Sequence, residues 1–311
     1  MTGPNQVRFA VAIPQVLTQS SADTATLQTF LTRAEALGYE SAWVMEQILG
    51  QAPSLEPVTL LSYAAAVTRR LRLGLAVLIT PLRNPVQLAK SLATLDQLSG
   101  GRLMVGVGLG GNTRIYPAFG LSPERRVQRF AEGLRLMKRL WTEDRVTFDG
   151  EFWKLENAAM EPKPIQKPHP PLWFGGRQPA ALRRAVELGD AFMGAGSNST
   201  AEFREQVAHV RTYLAEARRD PSTFPIAKRV YLEVDPDKAR ALERLRKWFG
   251  LFYGNPTLAD RVAIVGDAQE CIAGLREVRA AGAELILLNP VFEEVRYLDL
   301  LASEVVPAVS R

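Results

Sequence analysis

The chain has 311 residues but only one cysteine, Cys271, and two histidines, His169 and His209. A single cysteine excludes an intramolecular disulfide, and Cys271 lies in a helix-like segment where a small packing residue is expected. Neither histidine has a partner at metal-ligand spacing, so no zinc or iron site is predicted. The serine-hydrolase elbow and the ATP-binding P-loop are also absent. These absences favour a bound organic cofactor as the carrier of any chemistry.

Long apolar runs are missing as well. No stretch of about 18 apolar residues occurs, and the N-terminus lacks a charged start followed by an apolar segment. We therefore expect neither a membrane span nor a signal peptide, and a cytoplasmic location. The net charge is +5, but the densest basic segment, residues 244–247, lies inside a helical pattern. A solvated helix face explains that segment better than a nucleic-acid site.

Eight short apolar runs alternate with amphipathic segments along the chain. Most are continuously apolar, which is typical of strands in a buried parallel sheet. They cover residues 7–13, 41–46, 71–79, 102–107, 171–174, 190–193, 226–234 and 284–289. Eight strand–helix units over this length favour a closed (β/α)8 TIM barrel, and no linker divides residues 1–311 into two domains. Residues 145–171, with a hairpin at 145–155, and residues 235–267, which are helical, are extra segments.

A glycine-rich motif follows the fourth predicted strand. Residues 106–111 (GVGLGG) match the dinucleotide fingerprint, but that fingerprint requires a helix to begin within it, and the next clear helix starts near Pro123. Three interpretations remain open: a Rossmann nucleotide site, a plain turn, and a surface where a flat ring approaches the backbone. We prefer the last, because glycine permits the closest approach.

A second motif, Gly175–Gly176–Arg177, ends one predicted strand and opens a helix at Pro179. Uncovered backbone N–H groups at a helix N-terminus, together with an arginine, suit a phosphate. Gly196 and Ser197, after the next strand, are predicted to add further donors. The alternative is a pair of tight turns without a ligand.

Glu46 and Gln47 follow the second predicted strand, at the end where barrel enzymes place catalytic residues. Glu46 is a candidate general acid or base, or a hydrogen-bonding group. Gln47 can form hydrogen bonds but cannot transfer a proton at neutral pH. The alternative for Glu46 is a solvated strand-end carboxylate.

Several strings together resemble the luciferase-like monooxygenase superfamily of flavin- and deazaflavin-dependent oxidoreductases. They are residues 34–39 (AEALGY) leading into Trp43, 71–78 (LRLGLAVL), 81–85 (PLRNP), 100–103 (GGRL), 106–108 (GVG) and 171–176 (PLWFGG). The resemblance implies a TIM barrel with an insertion after the fourth helix, and a cofactor that is coenzyme F420 or FMN.

The resemblance also implies roles for particular residues. A non-proline cis peptide is expected between Ala76 and Val77, behind the cofactor ring. Phosphate contacts are expected from Gly175, Gly176 and Arg177, with help from Gly196 and Ser197. Ring contacts are expected from Glu46, Gln47, Gly108 and Asn112.

Two departures from the family pattern bear on the reaction. Many deazaflavin members carry Asp–His where this chain has Glu46–Gln47, and the sugar-phosphate dehydrogenase branch carries a glutamate where this chain has Gly111. We therefore do not expect sugar-phosphate oxidation. The leading prediction is an F420-dependent oxidoreductase that passes hydride to or from a small organic substrate. The alternatives are an FMN-dependent monooxygenase using O2 and a flavin-binding barrel without catalysis. Dimers are common in the family, so the resemblance is compatible with a homodimer, but the sequence leaves the oligomeric state open.

Overall fold

The computed structural model describes residues 7–17 and 21–310. Its strands are short and mostly fully buried. They are β1 (Arg8–Ala12), β2 (Ser41–Val44), β3 (Arg72–Leu75), β4 (Leu78–Ile79), β5 (Leu103–Gly108), β6 (Val146–Asp149), β7 (Lys154–Ala158), β8 (Leu172–Phe174), β9 (Ala191–Gly194), β10 (Ile226–Val234), β11 (Ile264–Gly266) and β12 (Leu285–Asn289).

Eight of these strands close into a parallel barrel. The order is β1, β2, β3, β5, β8, β9, β10 and β12, and β12 pairs with β1 to complete the ring. All eight predicted strands are therefore confirmed, and so is the TIM barrel. The third predicted strand, residues 71–79, is divided into β3 and β4, and the Ala76–Val77 peptide between them is cis, as the resemblance implied.

The helices lie outside the barrel and follow the strands. They are α1 (Thr24–Ala36), α2 (Pro57–Val67), α3 (Pro85–Ser99), α4 (Arg126–Thr142), α5 (Pro179–Leu188), α6 (Thr200–Glu216), α7 (Lys238–Tyr253), α8 (Leu258–Val262), α9 (Ala268–Ala280), α10 (Glu294–Leu300) and α11 (Val306–Ser310). In the described ranges, no helix combines the length and the apolar character needed to cross a membrane.

Local sequence signals explain where helices begin and end. Asn84 accepts hydrogen bonds from the N–H groups of Val86 and Gln87 at the start of α3, with Pro85 in the first helical position. Gly100 ends the same helix at a φ of 67°, a left-handed conformation that favours glycine. The boundaries of α3 therefore follow from three residues that are visible in the sequence.

The barrel interior is filled by two tryptophans together with alanine, methionine and leucine side chains. Trp43 and Trp173 meet edge to face, with ring centroids 5.4 Å apart. Gly74 provides the room, because a Cβ at that position would lie 2.1 Å from Cδ2 of Trp43. Alanines such as Ala10 and Ala12, two methionines and two leucines complete this cluster. The interior is thus a packed layer that forms the base of the barrel mouth.

Both extra segments are where the sequence placed them. The antiparallel pair β6–β7 follows α4, so the predicted insertion after the fourth helix is confirmed, although the hairpin extends to Ala158 instead of ending at residue 155. Helices α7 and α8 precede the last barrel strand, as predicted. Strand β11 was not predicted; it has only three residues and pairs with the far end of β10.

Candidate functional site

A cavity of about 390 Å³ opens at the C-terminal ends of the barrel strands. We call it the mouth cavity. Backbone from the glycine-rich ends of β5, β8 and β9 forms much of its wall. Its lining is Ala76, Val77, Gly108–Gly111, Phe130, Phe174–Gln178, Ala181, Arg184, Met193–Ala195 and Arg229. Catalytic and cofactor sites of TIM barrels lie at this face.

Two glycines at one wall of the mouth cavity let the side chain of Val77 pack against the backbone. A Cβ at Gly108 would lie 2.7 Å from Cγ2 of Val77, and one at Gly175 would lie 3.1 Å from its Cγ1. Since Val77 packs directly on both glycines, only glycine fits there without displacing it. The barrel excludes the Rossmann interpretation of residues 106–111, and a 3-10 helix, Thr113–Phe119, follows the motif. This backbone surface suits a planar ring.

The second glycine motif connects β8 to the N-terminus of α5. Gln178 is the residue before the helix, and its side chain caps none of the first N–H groups. Arg177 donates a hydrogen bond to Oγ of Ser197, which is buried after β9. The structure therefore joins Gly175, Gly176, Arg177 and Ser197 into one corner. Uncapped N–H groups and a guanidinium are the donor set that a phosphate requires.

Lys228 and Arg229 add two buried cations beside this corner, and both lie within the largely apolar strand β10. The side chain of Arg229 donates to Oη of Tyr253 at 2.5 Å and to the Ala76 carbonyl at 3.4 Å. Nζ of Lys228 donates to the carbonyls of Ala195 (2.5 Å) and Asn198 (2.9 Å). Arg229 is 7% exposed and Lys228 is 3% exposed.

These cations have no carboxylate partner. In residues 7–17 and 21–310, no ion pair involves Arg177, Arg184, Lys228 or Arg229. Burial, together with the neighbouring Arg229 and Arg177, lowers the pKa of Lys228 to about 7, while Glu202 acts in the opposite direction. Buried charge without a counterion is costly unless a ligand supplies the opposite charge. We therefore expect the mouth cavity to bind an anionic ligand.

Sequence reasoning missed Arg184, Lys228 and Arg229. A signal existed for the last two, because consecutive basic residues inside an apolar strand rarely occur unless they are paired or bind a ligand. For Arg184 no such signal was available, since basic residues are common on amphipathic helices.

The side chain of Glu46 is fully buried and forms structural contacts. It accepts a hydrogen bond from the N–H of Ile79 in β4, and its Oε1 lies 2.9 Å from Nε of Arg83. Arg83 also pairs with Glu56 at 2.8 Å. The alternative of a solvated carboxylate is therefore wrong. Glu46 does not line the mouth cavity and ties the end of β2 to the segment after Val77.

Gln47 and Asn112 also lie away from the cavity lining. Nε2 of Gln47 donates to the Phe252 carbonyl in α7 at 2.9 Å. Asn112 caps the 3-10 helix by accepting from the N–H of Arg114. Gly196 makes room for Arg229, because a Cβ there would lie 2.6 Å from its Nε. The ligand contacts proposed for these residues remain predictions.

We expect Glu46→Gln to lower the free energy of unfolding by about 2 kcal/mol, because it removes one charge of a buried ion pair. The loss is limited because Arg83 still pairs with Glu56. The exposed pair Arg139–Glu143 provides the control, and Glu143→Gln should cost less than about 1 kcal/mol. Urea unfolding of both variants measures the difference. An unchanged free energy with lost turnover would instead indicate that Glu46 transfers a proton.

Metal ligation finds no support in the described ranges, where no group of three or more His, Cys, Asp or Glu side chains could hold an ion. Cys271 is buried on α9, and burial raises the pKa of its thiol to about 12. Such a thiol is a poor nucleophile.

A TIM barrel whose mouth carries uncapped amides and unpaired cations is typical of enzymes that hold phosphorylated ligands. The profile of the luciferase-like monooxygenase family matches residues 7–257. The F420-dependent glucose-6-phosphate dehydrogenase of Kineococcus radiotolerans is 30% identical in an alignment of 317 positions, gaps included, that covers 90% of this chain and 92% of that protein. The chain therefore belongs to the luciferase-like monooxygenase family and is an oxidoreductase of that family.

Other relatives show the breadth of the family. The FMNH2-dependent dimethylsulfone monooxygenase of Pseudomonas putida is 35% identical over 163 residues, which are 51% of this chain and 44% of that protein. A solved F420-dependent secondary alcohol dehydrogenase, in complex with an F420–acetone adduct, superposes with a TM-score of 0.86 at 24% identity. That match covers 98% of this chain and 100% of the solved one, and it shows the same fold.

Proposed function

We propose that the protein is an F420-dependent oxidoreductase that transfers hydride between the coenzyme and a small organic substrate. The observation that carries the proposal is the mouth cavity, in which a wall of glycines and Val77 adjoins cations that have no carboxylate partner in the described ranges. When bound, the deazaflavin supplies a ring carbon that gives or accepts hydride. Holding that ring and excluding water from it are then the tasks of the chain.

Each part of the cavity has a distinct role in this proposal. The N–H groups at the start of α5 and the guanidinium of Arg177 bind the phosphate. Val77, Gly108 and Gly175 support one face of the ring, so that its other face is left for the substrate. Arg229 lines the cavity and donates to Oη of Tyr253, which fixes that hydroxyl next to the guanidinium.

Arg184 favours F420 over FMN. It lies on the second turn of α5, lines the mouth cavity beyond the phosphate corner and has no carboxylate partner in the described ranges. FMN ends at its phosphate, whereas F420 continues into an acidic tail that a further cation would attract. The full-length similarity to F420-dependent glucose-6-phosphate dehydrogenase also supports F420. The shorter match to an FMNH2-dependent monooxygenase supports the alternative, FMN with O2.

Cofactor titration tests the proposal. We expect the purified protein to bind F420 at least about tenfold more tightly than FMN, since one further ion pair contributes on the order of 1.4 kcal/mol. Arg184→Met should remove most of this preference without weakening FMN. Arg183→Met, on the exposed side of α5 where Arg183 pairs with Glu216, is the control. Tighter binding of FMN would favour the monooxygenase, and binding of neither would refute both.

Stopped-flow mixing of the F420-loaded protein with ketones, imines and enones separates an enzyme from a non-catalytic flavin-binding barrel. An enzyme changes the redox state of the bound ring with at least one of them. The absence of nucleic-acid partners, the cytoplasmic location and the single domain remain predictions, and a homodimer remains compatible with the family resemblance.

A further inference from the structure

A second cavity, of about 460 Å³, lies on the opposite side of the barrel mouth. We call it the β1–α7 cavity, because the segment after β1, the end of β12 and the helix α7 enclose it. Its wall is mainly apolar and includes Ile13, Met45, Trp248, Leu251, Val291 and Phe292. This volume is in the range of small-molecule sites.

One polar group in this cavity lacks a partner. Asn289 lines the cavity at the end of β12, and its side chain is 4% exposed. Its Nδ2 donates to the Pro290 carbonyl at 3.4 Å, but its buried Oδ1 accepts no hydrogen bond from the protein. Leaving a buried acceptor unpaired costs about 1–3 kcal/mol, so a donor supplied by a ligand would satisfy it.

The charged residues at the cavity disfavour an anionic ligand. Arg244 pairs with Glu233 at 2.9 Å and lies over the ring of Phe292, while Lys247 pairs with Glu243 at 2.9 Å. Neither cation is therefore available, in contrast to the unpaired arginines of the mouth cavity. Glu294 also lines the β1–α7 cavity, and burial raises the pKa of its carboxyl, which would repel a second carboxylate once ionised.

A series of side-chain contacts links the two cavities. Arg229, in the mouth cavity, donates to Oη of Tyr253, which lies 2.8 Å from Oη of Tyr231. Tyr231 contacts Sδ of Met45 at 3.6 Å, and Met45 lines the β1–α7 cavity. A molecule in the second cavity therefore lies across this network from the cofactor site.

We propose that the β1–α7 cavity binds the apolar part of the organic substrate, a neutral molecule whose hydroxyl or N–H group donates a hydrogen bond to Oδ1 of Asn289. The inference rests on the proposed function, because the ligand that it describes is the organic substrate of the proposed oxidoreductase. It excludes sugar phosphates, whose charge would find no free cation in this cavity.

Binding of matched probes tests the inference without any cofactor. Cyclohexanol, cyclohexyl methyl ether and cyclohexanecarboxylate share a ring but differ in donor and charge. We expect cyclohexanol to quench the fluorescence of Trp248 and to bind about five- to tenfold more tightly than the ether, the value of one hydrogen bond. The carboxylate should bind more weakly still. Trp248→Phe identifies the part of the signal that comes from this cavity.

Two variants at one position give the decisive comparison. Asn289→Leu removes the acceptor and should abolish the difference between alcohol and ether, whereas Asn289→Asp keeps an acceptor and should preserve it. Far-UV circular dichroism checks that both fold. Equal binding of alcohol and ether by the unmodified protein, or a preference that survives in Asn289→Leu, would overturn the inference. Because no cofactor is present, failure of F420 and FMN to bind would refute the proposed function separately.

Discussion

Replacing Arg229 with methionine should weaken cofactor binding roughly 30-fold or more, yet leave the cofactor-free protein as stable as the original or more stable. Removing one member of a buried charge pair costs about 2–5 kcal/mol of binding. The ligand-free protein, however, has no carboxylate beside this guanidinium in the described ranges, and an apolar side chain removes the cost of burying the charge. Arg229→Met should therefore lower the affinity for the cofactor but keep or raise the free energy of unfolding of the ligand-free protein.

Spectral titration with F420 and FMN measures the first effect of Arg229→Met, and calorimetry of the ligand-free protein measures the second. We expect the melting temperature to rise by about 2–4 °C for each kcal/mol of burial cost removed. Arg183→Met again serves as the control, because Arg183 is an exposed arginine of α5 that pairs with Glu216. If the melting temperature of Arg229→Met fell by several degrees, the bonds to Tyr253 and Ala76 would matter more than the unpaired charge, and Arg229 would be structural.

The barrel could be predicted because each strand is short, apolar along its length and bounded by helix signals. Strand β10 is an example, because the apolar run predicts a strand at residues 226–234 and the observed strand has those bounds. The glycine corners were also visible, since Gly175 and Gly176 interrupt an apolar run directly before a proline. The cis peptide at Ala76–Val77 came from family resemblance alone, because nothing in the local sequence requires it.

Contacts between distant segments could not be predicted. Glu46 is fixed by Arg83, which lies 37 residues further along the chain, and no local pattern links them. Gln47 is held by α7, more than 200 residues away. Likewise, the unpaired state of Arg229 depends on which carboxylates the fold brings near it. The chemistry of the site therefore depends on long-range geometry that single-sequence patterns do not contain.

The protonation state of Lys228 should make anion binding at this site depend on pH. Its ammonium bonds the carbonyls of Ala195 and Asn198 and so fixes the loop that carries Ser197, the partner of Arg177. The groups that face it are Arg229, Arg177 and Glu202, and Arg261 contacts the Ser197 carbonyl from α8. The pKa of Glu202 is lowered and that of Arg229 is raised, so both keep their charge near pH 7–9. Lys228 is therefore the group of this cluster that titrates in that range.

Cofactor affinity should fall as the pH rises above 7. Burial, together with Arg229 and Arg177, lowers the pKa of Lys228 to about 7 in the ligand-free protein, and an anion at the phosphate corner should raise it again. Binding then takes up a proton, which costs nothing below pH 7 and increasingly more above it. We expect the Kd for FMN to increase about tenfold between pH 7 and pH 9, where the charge of the phosphate, with a second pKa near 6, is constant.

Lys228→Met separates this effect from other titrations. The variant should bind FMN weakly and with a Kd that does not change between pH 7 and pH 9, because its side chain resembles the uncharged lysine. Cofactor affinity falls with rising pH, whereas the free energy of unfolding of the ligand-free protein should increase with pH over the same range. The unfolded lysine keeps its proton to about pH 10.4, so the folded protein gains stability relative to the variant as the pH rises above 7. A Kd of the unmodified protein that stays constant over this range would show that the ammonium and the bound anion are not coupled.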